Sequence, residues 1–162
     1  MLALDASVEI AGLDGRRTVG IDDFFYGFYS TAVQEGEILT EILIPIPSGR
    51  SGNAYHKVER KVGDYATGGV AVHLEMDEQG ICTKAGIGLT NVNPTPLRAV
   101  RSEAALVGTS LDDAAIASAA QYASEDCNPS TDLRGDIDYK RHIIRAVTKR
   151  MINKAKERAF KN

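Results

Sequence analysis

The sequence predicts an α+β fold: an antiparallel three-stranded sheet covered by a layer of helices. Three observations carry that expectation. Alternating segments between residues 55 and 91 are separated by short glycine-containing breaks, the pattern of strands in one meander. From residue 96 onward the alternation gives way to apolar spacings of three and four, which suit helices. At 162 residues, 43% hydrophobic and 25% charged, the chain is globular and amounts to one domain or one and a fraction.

The N-terminal segment reads as a hairpin. Val8 and Ile10 alternate with Ser7 and Glu9 in a strand from Leu2 to Ala11, Gly12-Leu13-Asp14-Gly15 makes a turn, and Arg16 to Ile21 returns. Asp22-Asp23 supplies a helix start that places Phe24, Phe25 and Phe28 on one apolar face. Glu37 to Ile46 is mainly apolar and reads as a buried strand, ended by Pro45 and Pro47 because proline cannot donate to a sheet ladder. Ser48 to Asn53 is the most linker-like stretch, so the expected division is 1–47 and 53–162.

Three strands follow, at Tyr55–Lys61, Val70–Met76 and Ile81–Asn91, with Asp77-Glu78-Gln79-Gly80 turning between the last two. In the middle strand Val70, Val72 and Leu74 share one face while Ala71, His73 and Glu75 share the other, which predicts a sheet packed on one side only. The helical part begins after Pro96-Leu97 with Arg98 to Val107, ended by Gly108. Ser110-Leu111-Asp112-Asp113 resembles a capping box opening a second helix to about Ala123, and Asn128-Pro129 is a stop. In the last helix, about Ile137 to Phe160, Ile143, Val147 and Met151 stand four apart, widened by Ile144 and Ala155.

Several function classes lose support. No run approaches the ~20 apolar residues that a membrane-spanning helix needs, and no signal-peptide pattern is visible. Cys82 and Cys127 form no C-x-x-C pair and suit a reducing, cytoplasmic compartment. His56, His73 and His142 lack metal-site spacing, so any metal would belong to a partner. Lys140 to Lys161 holds nine Lys or Arg and one acid in a chain of net charge −3, either a solvated helix face or a surface for a partner subunit. Its scarcity of aromatic residues argues against single-stranded nucleic acid.

The functional candidates centre on Tyr65, a large ring on the tight connection between Gly63-Asp64 and Gly68-Gly69. From the residues alone it is either an ordinary half-buried loop aromatic or a ring that closes the mouth of a pocket. The flanking segments extend the pattern: Gly36-Glu37-Ile38-Leu39-Thr40-Glu41-Ile42-Leu43-Ile44-Pro45, and Tyr55-x-Lys57-x-x-Arg60-Lys61-x-Gly63-Asp64-Tyr65-Ala66. Asn93-Pro94-Thr95-Pro96-Leu97-Arg98-Ala99 and Thr131-Asp132-Leu133-Arg134-Gly135-x-x-x-Tyr139-x-Arg141 follow in order. Together these resemble the C-terminal part of the FAD-binding (medium) flavoprotein subunit of molybdenum-type carbon monoxide dehydrogenases and xanthine dehydrogenases.

The resemblance implies that residues 1–47 are the tail end of an FAD-binding subdomain and 53–162 the flavoprotein C-terminal domain. It implies FAD as cofactor, with Tyr65 covering one face of the isoalloxazine and Leu39 a further contact. His56 or Lys57 matches a basic residue near the flavin, and Arg60 and Asp64 fall in the loop near the ring, where fixed charge can bias a reduced flavin. Arg60, Lys61 and Asp64 read equally as a surface ion-pair group. The implied partners are an iron–sulfur small subunit with 2Fe-2S clusters and a large subunit with molybdenum cofactor. No G-x-G-x-x-G or other dense glycine loop opening a helix precedes Tyr55, so the cofactor's pyrophosphate is expected to be held by a missing upstream half or a separate FAD-binding polypeptide. No independent catalytic constellation is visible, and the alternative is a non-catalytic subunit-docking module, or a truncated or split-gene fragment, without its own cofactor.

Overall fold

The computed structural model describes residues 1–161. Its larger part is an antiparallel sheet of β6 (Arg50–Val58), β7 (Gly68–Met76), β8 (Cys82–Thr90) and the short β9 (Leu97–Arg98), hydrogen-bonded in that order. The expected three strands are thus joined by a fourth, made where Leu97 pairs with Leu89 and Arg98 with Gly88 before the helical part begins. Helices α1 (Val100–Leu106), α2 (Asp113–Asp126) and α3 (Ile137–Ala159) form the cover. Asp112 caps α2 by accepting the Ala115 amide at 2.8 Å, and Asp136 caps α3 by accepting that of Tyr139 at 2.8 Å. Each bond satisfies an amide that the first helical turn leaves without a backbone partner.

Helix α3 lies across β6 and β7, with α2 and then α1 beside it. Val70, Val72 and Leu74 of β7 and Ile87 and Leu89 of β8 meet Ile144, Val147, Met151 and Ile152 in one buried cluster. The stripe read from the sequence is the face that packs. Its closest approach is at Gly52: a Cβ there would stand 2.0 Å from the Ala155 carbonyl oxygen and 2.5 Å from the Ala159 amide nitrogen. Residues 50–53 are therefore not a linker. They are the start of β6, and the glycine that reads as flexibility is where strand and helix touch.

The back of the sheet is also covered in part, at β8 and β7 and not at β6, against the expectation of one packed face. The 3-10 turn Leu2–Leu4 lies on the back of β8, where a Cβ on Gly86 would meet the Ala3 carbonyl oxygen at 2.1 Å. His73 and Glu75, placed by alternation on the expected solvent side, are buried. Glu75 accepts both the amide and the hydroxyl of Ser48, at 3.2 and 3.1 Å. Burial raises its carboxyl pKa, but those bonds and the Lys84 and His73 side chains outweigh it and hold the group below the usual value.

The N-terminal unit has its own sheet, ordered β2 (Gly15–Gly20), β1 (Ser7–Gly12), β5 (Ile38–Leu43), all antiparallel. Val8, Ile10, Ile21, Phe24 and Ala32 make a small core, with Leu39 packed against it. The expected helix with three phenylalanines on one face does not form. A 3-10 turn at Ile21–Asp23 leads instead to a small hairpin, β3 (Phe25–Gly27) and β4 (Ser30–Thr31), which leaves Phe28 exposed. The apolar run around β5 is not a buried strand either: Ile38, Ile42, Leu43, Ile44 and Ile46 are all exposed, Ile42 even though it pairs with the buried Val8.

Arg98 ties the two units together. Its Nε lies 3.0 Å from both Glu103 oxygens, while its Nη1 reaches Asp5 and, at 3.1 Å, Asp22. Glu103 also accepts the Ile87 amide at 2.8 Å, and Lys84 meets Asp5 at 2.6 Å. Burial pushes the Glu103 carboxyl up in spite of these partners. Asp5 feels a similar push, yet its bonds from Lys84 and Arg98 carry it below its usual value.

Candidate functional site

The loop joining β6 to β7 carries an exposed ring on a tethered backbone. The Asp64 amide closes a turn on the Lys61 carbonyl (3.1 Å), and the Thr67 amide donates to the Val58 carbonyl (2.7 Å) at the loop's base. Lys57 Nζ donates to the Asp64 carbonyl (3.0 Å) while pairing with Glu59 at 2.6 Å, and the Asn91 side-chain amide holds the Ala66 carbonyl. The Tyr65 amide donates to its neighbour's Asp64 Oδ1 at 2.8 Å. Above this framework the Tyr65 side chain is 81% exposed, with Val62 also bare. Five hydrogen bonds thus hold the backbone of this loop, while the ring that it carries stays exposed.

A second loop comes up beside it. Arg134 Nη2 meets Asp64 Oδ1 at 3.1 Å, and its guanidinium lies over the Tyr65 ring, 5.6 Å from the centroid. Asp64 is held below its usual carboxyl pKa chiefly by that Arg134 bond, then by the Tyr65 amide, with a smaller contribution from the Arg60 charge. Within the second loop the Arg134 amide donates to Asp132 Oδ1 (2.8 Å), whose Oδ2 meets Lys140 Nζ at 2.9 Å. Lys140, only 2% exposed, also donates to the Ser130 carbonyl at 2.7 Å. Gly135 has φ +147°, and a Cβ on it would strike the Tyr139 ring at 2.3 Å. Arg141 donates to the Cys127 carbonyl at 3.3 Å. The 131–141 segment noted in the sequence is thus folded on itself and reaches the Tyr65 loop through Arg134.

The sequence-predicted residues divide by position. Tyr65, Asp64 and Lys57 meet in the loop, with Arg60 exposed beside it. His56 and Lys57 are separated by strand alternation. Lys57 shares a face with Tyr55, and Tyr55 lines an apolar cleft of about 220 Å³ with Met1, Leu2, Phe25 and Pro96. His56 lies on the opposite face, exposed at the sheet's edge, in step with Gly52 and Ala54, which turn toward α3. Leu39 sits in the other sheet, packed on the N-terminal core. Arg134 and Lys140 were not singled out by sequence reasoning, though the motif around them was the available signal.

The basic C-terminal helix is partly an internal device. Lys140 and Arg141 bind the preceding loop, Lys156 donates to the Leu111 carbonyl at 2.7 Å, and Arg158 to that of Asn53 at 2.6 Å. Arg145, Lys149, Arg150 and Lys154 remain as an exposed basic face. Among the described residues no cluster of His, Cys, Asp and Glu could hold a metal ion, and no helix is long and apolar enough to cross a membrane.

Residues 53–155 match the family described as CO dehydrogenase flavoprotein C-terminal domain, and residues 1–47 that described as FAD binding domain in molybdopterin dehydrogenase. The carbon monoxide dehydrogenase medium chain of Afipia carboxidovorans is 43% identical over 98% of this chain and 55% of its own. Among solved structures, carbon monoxide dehydrogenase from Hydrogenophaga pseudoflava superposes with a TM-score of 0.92 at 43% identity, over 97% of this chain and 54% of that one. Quinoline 2-oxidoreductase from Pseudomonas putida 86 gives 0.87 at 35% identity, over 98% and 55%. The chain spans about half the length of the curated relatives it matches.

Proposed function

Because the chain belongs to the carbon monoxide dehydrogenase flavoprotein family, we propose that it is the C-terminal part of the FAD-carrying, electron-transferring subunit of a molybdenum hydroxylase. The observation that carries this reading is the Tyr65 ring, exposed on a loop whose backbone is fixed from several sides. The residues present fit the ring end of the cofactor. Tyr65 offers an aromatic face, while Lys57 and Asp64 offer charges that their own partners hold still. They do not fit its pyrophosphate end, which needs amides converging from glycine turns or helix N-termini. On this reading that end is supplied by an FAD-binding segment or polypeptide outside residues 1–162.

FAD, when bound, supplies a carrier that accepts electrons singly and passes them on to the final acceptor. This chain's residues have simpler tasks. Tyr65 covers one face of the isoalloxazine and keeps water from it, while Lys57 and Asp64, with Arg60 further out, set the local field. Of the two basic neighbours, Lys57 is the stronger candidate, because it is bonded to the Tyr65 loop and His56 points the other way. Leu39 would meet the cofactor from the N-terminal sheet. Residues 1–47 serve as the end of the FAD-binding subdomain and 53–162 as the C-terminal domain. The exposed apolar residues Ile38, Ile42, Ile44 and Ile46, with Tyr26 and Phe28, support a further segment or subunit covering the N-terminal unit. An iron–sulfur subunit with 2Fe-2S clusters and a molybdenum subunit complete the proposed complex, which oxidises its substrate away from this chain. Buried free thiols at Cys82 and Cys127 support a cytoplasmic setting.

Titration with FAD, followed by flavin fluorescence, tests the reading. The chain alone should bind weakly or not at all, and a polypeptide carrying the upstream FAD-binding half should restore tight binding. Sub-micromolar affinity without a partner would show that the site is complete here. Failure to bind even with that half present would leave a docking module without its own cofactor.

A further inference from the structure

We propose that Arg134 is a positioning residue for Tyr65: anchored through Asp132 to the buried ammonium of Lys140, it clamps Asp64 and lies over the Tyr65 ring, fixing the pose in which that ring meets the flavin. The proposal rests on the reading of Tyr65 as the flavin cover.

The geometry forms an unbroken path. Lys140, in the first turn of α3, is held by packing and by the Ser130 carbonyl. It meets Asp132, whose other oxygen takes the Arg134 amide, and the Asp132–Gly135 bridge, closed by two bonds of 3.1 Å, shapes the loop between them. The Arg134 guanidinium then shares Asp64 Oδ1 with the Tyr65 amide. One oxygen therefore receives the residue that carries the ring and the residue that lies over it.

Exposed ion pairs stabilise little, because two free side chains must be ordered to make them. Here that cost is reduced. The Arg134 and Asp64 side chains are only 27% and 18% exposed, and each has its backbone fixed by other bonds. A planar guanidinium can also bond Asp64 through its edge while its face lies along the ring, which a lysine ammonium cannot do. Asp64, Tyr65 and Arg134 thus act as one unit, although Asp64 and Arg134 are 70 residues apart in the chain.

Two measurements test the proposal. In the chain itself, Arg134→Ala should speed amide exchange at Tyr65 and Ala66 by about threefold, the scale of a lost partly exposed pair. Exchange in Val70–Leu74 should stay unchanged, which certifies the fold, and Arg134→Lys should fall between wild type and alanine. In the flavin-loaded subunit assembled with its upstream half, flavin fluorescence lifetime reads the tyrosine's approach. Tyr65→Ala should lengthen it, Arg134→Ala should lengthen it in part, and the double variant should equal Tyr65→Ala alone. An unchanged exchange rate at Tyr65 in Arg134→Ala overturns the clamp while leaving Tyr65 as the flavin cover. So does an Arg134→Ala effect on lifetime that persists in full in the Tyr65→Ala background. If Tyr65→Ala leaves the lifetime unchanged, the cover reading fails, and the positioning role fails with it.

Discussion

Replacing Gly52 by alanine adds one methyl group where β6 and α3 have no room for it. The new carbon would stand 2.0 Å from one backbone atom of α3 and 2.5 Å from another, against 3.4 Å or more in ordinary contact. Neither obstacle is a side chain that can rotate away, so strand and helix must part. Overpacking costs about 1–3 kcal/mol, and contact with backbone on both atoms puts this site at or above the upper end. Relief of glycine's extra chain entropy returns roughly 0.5–1 kcal/mol. The net loss is about 2 kcal/mol or more, which in a chain of this size lowers Tm by about 4–8 °C. Thermal melting by far-UV circular dichroism measures it, with a urea midpoint at unchanged slope as a second readout. Gly27→Ala is the control, since a Cβ there meets nothing within 4 Å. Equal melting temperatures for the two variants would refute the close approach and restore residues 48–53 as a linker.

Arg98→Ala should destabilise the chain by roughly 2–4 kcal/mol, somewhat below the cost of breaking a fully buried pair, because Glu103 stays buried without its main counter-charge. Hydrogen exchange should rise more in Ser7–Gly12 than in Val70–Leu74, and an equal rise in both would show that Arg98 does not join the units. Glu37, paired with Arg17 at 2.7 Å and accepting the Gln34 amide, has its carboxyl pKa lowered from 4.5 to about 2. Its stabilisation is therefore present above pH 4.5 and is lost as pH falls from 4.5 toward about 2. Glu37→Gln should flatten the pH dependence of the urea midpoint in that window, and an unchanged slope would remove Glu37 from the account.

The sequence shows what local chemistry decides and hides what depends on a distant neighbour. The strands at β7 and β8 and the turn at Gly80 are legible because alternation and a glycine at φ +80° are local facts. The cap at Asp112 is local too, although the sequence suggests a longer capping box from Ser110. Gly52 misleads because a glycine in a flexible linker and one against a helix backbone look alike in one dimension. The β5 run misleads because apolar residues do not say whether anything lies opposite them. Alternation puts His73 and Glu75 in solvent, since nothing local shows that Leu2–Leu4 lies across β8 or that Ser48 folds back onto Glu75. In the candidate site, Tyr65, Asp64 and Lys57 are close in sequence and were found together. Arg134 completes that cluster from a loop 70 residues later, a distance no local pattern spans.

Helix α3 connects these levels. Its apolar face, from Ile144 to Ala155, rests on β6 and β7, and its last turn reaches back through Arg158 to the Asn53 carbonyl. The height of β6 on the sheet is thus set by the helix at Gly52, and β6 in turn presents Lys57 to the loop beyond it. The first turn of the same helix carries Lys140, from which the Asp132–Arg134–Asp64 path leads to the other side of that loop. Tyr65 is therefore held between two supports that both lead back to α3. That arrangement explains how a ring can be exposed without its backbone being loose. On the proposed reading, exposure leaves room for the flavin, and the common support would spare binding much of the entropy cost of ordering the loop.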